Sequence, residues 1–97
     1  MHLTEQELDT IRAFFRTKPV LRAWLFGSYA RGEADETSDV DLLVNIDYQR
    51  LDVFDYLNWP HLLAQALGKK VDLGSDKYVL SFYRSFIEDD KQLIYEW

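Results

Sequence analysis

The run Val40-Asp41-Leu42-Leu43-Val44-Asn45-Ile46 restricts the fold more than any other part of the chain. Apart from Asp41 and Asn45 it is built of β-branched residues and leucine. A strand this continuously apolar is covered on both faces, so it reads as a central strand. It needs strands beside it and helices above it. The flanking sequence supplies both.

Thr4 and Glu7 form a capping box, in which each side chain satisfies the other's free backbone amide. Leu8, Ile11 and Phe15 follow at helical spacing, and Pro19 lies past the end. Val20 to Phe26 reads as a first strand. Gly27 to Gly32 is a tight turn opening a short helical segment, followed by a polar loop through Thr37. Asp52 to Leu67 reads as helical, with Val53, Tyr56, Leu57, Leu63 and Leu67 on one stripe. Pro60 falls inside it, predicting either a kink or two short helices with the proline in the first turn of the second. Gly68 is a natural terminator. Lys70 to Leu73 predicts a third strand, and Tyr78 to Asp90 a last helix with Val79, Phe82, Tyr83, Phe86 and Ile87 inward. Gln92 to Tyr95 fits a terminal strand or an extended tail.

These elements predict an α/β domain, a small sheet covered by helices, as a single unit over residues 1–97. The short link between the first two strands permits a crossover or an antiparallel return. Ninety-seven residues leave little room for a second domain. There is no repeat, no low-complexity tract, no apolar run of membrane-spanning length and no secretory segment at the start. Cysteine is absent, which removes disulfides and thiolate metal sites. A soluble cytoplasmic protein is the expectation. Seventeen acidic residues against eleven basic ones give a formal charge of −6. That balance makes unaided binding of long nucleic acid a poor fit, and it suits a basic protein partner or simple solubility.

Asp39 and Asp41 stand two apart at the start of the second strand, so their side chains project from one face. Two like charges so placed repel, and a hard divalent cation between them relieves the repulsion. Gly27 and Ser28 directly follow the first strand. A Gly-Ser step opening a helix offers free amides and a hydroxyl to an anion, without a Cβ in the way. Arg31 can lean on phosphate or pair with an acidic neighbour. Taken singly, the aspartate pair is more often a solvated loop, and the Gly-Ser step more often an ordinary strand-to-helix turn. Taken together, an anion cradle ending one strand and a metal-binding pair beginning the next suit one ligand, a metal-bound nucleoside triphosphate. Asp72, between Val71 and Leu73, adds a third carboxylate if its strand lies beside the second. Such a cluster supports in-line displacement at the α-phosphate.

The stretches Gly27-Ser28-Tyr29-Ala30-Arg31-Gly32-Glu33-Ala34 and Ser38-Asp39-Val40-Asp41-Leu42-Leu43-Val44 resemble the signature of the polymerase-β-like nucleotidyltransferases. The likeness is strongest to the minimal nucleotidyltransferases, the MntA-type antitoxins paired with HEPN toxins. It implies a mixed sheet flanked by helices, Mg²⁺ as cofactor and ATP as donor. Gly27 and Ser28 would hold the β- and γ-phosphates. Asp39, Asp41 and Asp72 would be catalytic metal ligands, and Arg31 matches the arginine of the family turn. The resemblance further implies adenylylation of a tyrosine on a HEPN-type toxin within a stable complex. A nucleotidyltransferase acting on a small molecule, and a non-catalytic antitoxin that only occludes its partner, are the alternatives. Tyr29 falls at a variable motif position and carries no reading. His2 and His61 lack ligand spacing. Lys69 and Lys70 read as a solvated turn, and Glu88, Asp89 and Asp90 as an acidic helix end. Of the rings that include Trp24 and Trp97, some are candidates to face a partner; the Trp59-Pro60 region is a candidate interface.

Overall fold

The computed structural model describes residues 1–78 and 90–97. The first helix, α1 (Glu5–Arg16), begins with the expected capping box and carries Glu5 and Glu7 in its first turn and Arg16 in its last. Both ends thus complement the helix dipole. Its buried face is Ile11 and Phe15. Strand β1 (Val20–Phe26) leads through Gly27 into a single helical turn, α2 (Ser28–Arg31), and a loop returns the chain as β2 (Val40–Ile46). The link is an antiparallel return, with Phe26 opposite Asp41 and Trp24 opposite Leu43. An irregularity between Val20 and Arg22 shifts the register, so Val20 and Ala23 both point into the core while Leu21 is pushed outward.

Helix α3 (Val53–Leu67) carries the chain over to β3 (Val71–Ser75), which pairs parallel with β2. A 3₁₀ turn follows at Asp76–Tyr78, and the chain returns as an antiparallel edge strand, β4 (Gln92–Glu96), on β1. The sheet order is β3-β2-β1-β4, a mixed four-stranded sheet. Helices α1 and α3 cover one face and touch through Phe14 and Trp59, whose ring centroids are 6.4 Å apart. Val40, Leu42, Val44 and Ile46 of β2 are buried with Ala23 and Leu25 of β1, Ile11 and Phe15 of α1, and Trp59 and Leu63 of α3. No helix among the described residues is long and apolar enough to cross a membrane. The helix expected from Tyr78 to Asp90 lies outside the described residues except at its two ends.

Of the two alternatives at Pro60, separate short helices are corrected, and the expected apolar stripe of this segment is corrected as well. Helix α3 runs unbroken through Pro60, although proline removes a backbone donor and crowds the preceding turn. Trp59 and Leu63, both fully buried, fix the helix on either side of it. The buried stripe is also rotated from the one expected. Tyr56, Trp59, Leu63 and Leu67 face the core, whereas Val53 and Leu57 are exposed together with Phe54. Trp59 is accordingly no interface residue. Its indole N–H donates to Asp55 at 2.9 Å, and Asp55 in turn pairs with Lys18 at 3.1 Å. Among the described residues, the rings of Phe54 and Trp97 are left open to solvent.

Candidate active site

The site begins where β1 ends. Gly27 adopts φ 74° and ψ −155°, a conformation that disfavours any residue with a Cβ. A Cβ placed there would lie 2.3 Å from Oδ2 of Asp41. The Asp41 carboxylate therefore rests directly against the backbone of the Gly27-Ser28 turn. The amides of Ala30 and Arg31 donate to the Gly27 carbonyl at 3.1 Å each. The amides that open α2 precede these bonds and have no partner within their own helix.

The turn is anchored from below. Tyr29 and Ala30 are buried, and the Lys69 ammonium lies 6.0 Å from the centre of the Tyr29 ring while pairing with Glu7 at 3.2 Å. It is also held from the far end of the chain: the Gln92 amide donates to the Ala30 carbonyl at 2.8 Å. Arg31 is engaged by two carboxylates, its Nε donating to Glu33 at 3.0 Å and its Nη1 to Asp90 at 2.7 Å. Of the two roles open to Arg31 from sequence, acidic pairing is the one seen here. Gly32 closes the turn at φ 75° beneath the His2 ring, which a Cβ would meet at 2.7 Å. His2 is a packing residue.

The loop before β2 is closed on itself. Asp35 accepts from the amide and hydroxyl of Thr37 at 2.8 and 2.7 Å, and its own amide donates to Ser38 Oγ at 2.9 Å. These bonds hold the Asp35 carboxyl below its ordinary range. Asp39 emerges from this loop exposed, and Asp41 follows half-buried. In the parallel ladder Asp72 is the direct partner of Asp41, and it is exposed. Burial first, then the charges of Asp72 and Asp39, push the Asp41 carboxyl up to about 6, with Arg31 opposing them. The fold thus brings Asp39 and Asp72 within electrostatic reach of Asp41, which itself rests against Gly27.

Among the described residues no group of three or more His, Cys, Asp or Glu side chains is placed to hold a metal ion. The donor set is carboxylate oxygens alone, one of them half-buried and destabilised by its neighbours. That suits a hard divalent cation such as Mg²⁺, which keeps waters and completes its shell with substrate phosphate oxygens. Tyr29, Gln92 and Asp90 support the site without having been singled out for that role from sequence. Tyr29 shows in sequence only as a large ring inside a polar turn, and contacts across 59 or 62 positions leave no local signal.

The nucleotidyltransferase domain family matches residues 8–94, and this chain belongs to it. With its sheet order and flanking helices, the fold is that of the polymerase-β-like branch. The protein adenylyltransferase MntA of Thermococcus cleftensis is 44% identical over 77 residues, which is 73% of this chain and 76% of that protein. MJ1379 of Methanocaldococcus jannaschii, provisionally named a protein adenylyltransferase, is 45% identical over 73 residues, 73% and 71% of the two chains. Among solved structures, a protein provisionally named a minimal nucleotidyltransferase superposes with TM-score 0.69 at 30% identity, over 93% of this chain and 98% of that one. A toxin–antitoxin structure with AMP-PNP superposes with TM-score 0.80 at 23% identity, over 93% and 73%.

Proposed function

We propose that this protein is an antitoxin enzyme that transfers AMP from ATP to a hydroxyl, a tyrosine of a partner HEPN-type ribonuclease toxin. The observation that carries this reading is the position of Asp41, wedged against Gly27, level with Asp72 and raised to about 6. A half-buried carboxylate crowded by two others is unfavourable unless a cation and its phosphate ligands occupy the space beside it. The names of the most similar relatives, and solved neighbours such as tri-AMPylated HEPN toxin of Shewanella oneidensis in complex with MNT antitoxin (TM-score 0.76 at 20% identity, over 98% of this chain and 74% of that one), support the acceptor and the partner.

Asp39, Asp41 and Asp72 would hold magnesium. When bound, that ion neutralises the triphosphate and makes the acceptor hydroxyl more acidic. Gly27 admits the phosphates to the backbone, and the amides that open α2 with the Ser28 hydroxyl donate to their oxygens. Arg31 lies beside the same turn as a further positive charge for phosphate. In the transfer, the acceptor oxygen forms a bond to the α-phosphorus as the bond to the β-phosphate bridging oxygen breaks. Pyrophosphate leaves, and the hydroxyl proton passes to Asp72 or to water.

The test mixes the protein with magnesium, α-labelled ATP and the protein encoded by the adjacent gene, and follows label into protein. Transfer that disappears in Asp39→Asn and Asp41→Asn variants while the complex persists is the expected result. Transfer that survives the double substitution removes the carboxylates from the chemistry. A tight complex that never takes up label makes the protein an antitoxin by occlusion.

A further inference from the structure

A pocket of about 480 Å³ opens at the end of the sheet, rimmed by Glu36, Thr37 and Ser38, by Gly68, Lys69 and Lys70, and by Met1. Its size falls in the range of ligand sites. It borders the carboxylates through the chain itself. Ser38 directly precedes Asp39, and Lys70 stands two residues before Asp72. The Lys70 carbonyl accepts from the Val40 amide at 2.8 Å, fixing this rim to the start of β2.

The direction of the chemistry gives the pocket a role. In the order β3-β2-β1, the Gly27-Ser28 turn lies on the β1 side of Asp41, and Asp72 with Lys70 on the β3 side. Strands are roughly 4.8 Å apart, so the two sides are separated by about 10 Å. A phosphoryl centre displaced in line takes its nucleophile from the side opposite the leaving group. With pyrophosphate held at Gly27 and Ser28, the acceptor arrives from the β3 side, the side on which Lys70 of this rim stands.

We propose that the pocket is the acceptor subsite, taking a polypeptide segment that presents a hydroxyl flanked by a carboxylate, with Lys70 as the residue that reads the flank. The assignment rests on the donor orientation proposed above. Other polar groups of the rim are already engaged: Thr37 and Ser38 with Asp35, Lys69 with Glu7, and the Met1 ammonium with the Gly32 carbonyl at 2.8 Å. The Lys70 ammonium has no hydrogen bond or ion pair among the described residues, and it is the rim charge nearest Asp72 along the chain. Glu36, also on the rim, repels an acidic flank, which turns that flank toward Lys70.

Two measurements test the proposal. In the first, a tyrosine peptide flanked by glutamates and its lysine-flanked counterpart compete for label from α-labelled ATP. The wild type favours the acidic peptide about tenfold in kcat/KM, and Lys70→Glu levels or inverts that preference while the KM for ATP changes less than twofold. In the second, the acidic peptide with phenylalanine for tyrosine is titrated into protein free of metal and nucleotide. It shifts the amide resonances of Ser38 and Lys70 in the wild type and leaves them in place in Lys70→Glu. A raised KM for ATP in the variant, an unchanged preference, or resonances that move elsewhere overturns the assignment. If no hydroxyl acceptor is ever labelled, the proposed function falls, and the phenylalanine titration still decides the pocket.

Discussion

Replacing Asp41 with asparagine should stabilise the free protein while abolishing its chemistry. In the fold the carboxyl is pushed from an ordinary 3.8 to about 6, by burial and by Asp72 and Asp39. The folded state therefore binds the proton more tightly than the unfolded chain. Below about pH 4 both states are protonated, and Asp41 costs nothing. As pH rises from about 4 to about 6 the unfolded chain ionises first, and the folded protein progressively loses stability relative to it. Above about 6 the loss is complete. At full strength a change of this size corresponds to roughly 3 kcal/mol. Asp41 is only half-buried, so solvent screening reduces this to about 1–2 kcal/mol. Asparagine keeps the shape and removes the charge. For a domain of this length the variant should melt roughly 5–10 °C higher at pH 8, with the gap closing as pH falls toward 4. Thermal unfolding of both proteins across that range is the assay, repeated with magnesium and a non-hydrolysable ATP analogue. The ligands should stabilise the wild type and leave the variant where it was. A variant that melts lower at every pH, or a gap independent of pH, would refute the reasoning.

Further outcomes follow from the same geometry. Gly27→Ala must force a Cβ into Asp41 and hold a strained backbone angle, so it should lose about 1–3 kcal/mol in denaturant titration and lose AMP transfer with it. Leu63→Ala, at a fully buried position between α3 and the sheet, should cost about 2–5 kcal/mol and, in the fraction that stays folded, leave the KM for ATP unchanged. Asp90→Asn removes one of the two carboxylates engaging exposed Arg31. It should leave the melting temperature within error and alter the KM for ATP, a change absent when Arg31→Ala is already in place.

Much of this fold can be read locally. The Thr4–Glu7 box, the apolar run of β2 and the Gly27-Ser28 turn each act over a few residues, and the structure keeps the elements where those signals put them. The proximity of Asp72 to Asp41 was legible only conditionally, because it depends on β3 lying parallel beside β2. Errors arose where tertiary packing outweighs local preference. Burial of Trp59 and Leu63 carries α3 through Pro60. It also turns the helix so that Val53 and Leu57, placed inward by periodicity alone, face water. The supports of the turn were hidden for a different reason. Asp90 and Gln92 reach Arg31 and Ala30 from the other end of the chain, and Tyr29 fills a position whose burial depends on what folds over it.

The burial of Tyr29 and Ala30 inside the four-residue turn has a kinetic consequence. A flexible loop must be ordered by each substrate that it grips, and it releases product by melting again. This turn is sewn into the interior, so it is set before any nucleotide arrives and stays set after pyrophosphate departs. Amide exchange at Ala30, whose N–H is bonded to the Gly27 carbonyl, should therefore run at the pace of whole-molecule unfolding, with or without substrate, and turnover should owe nothing to folding and refolding of the turn.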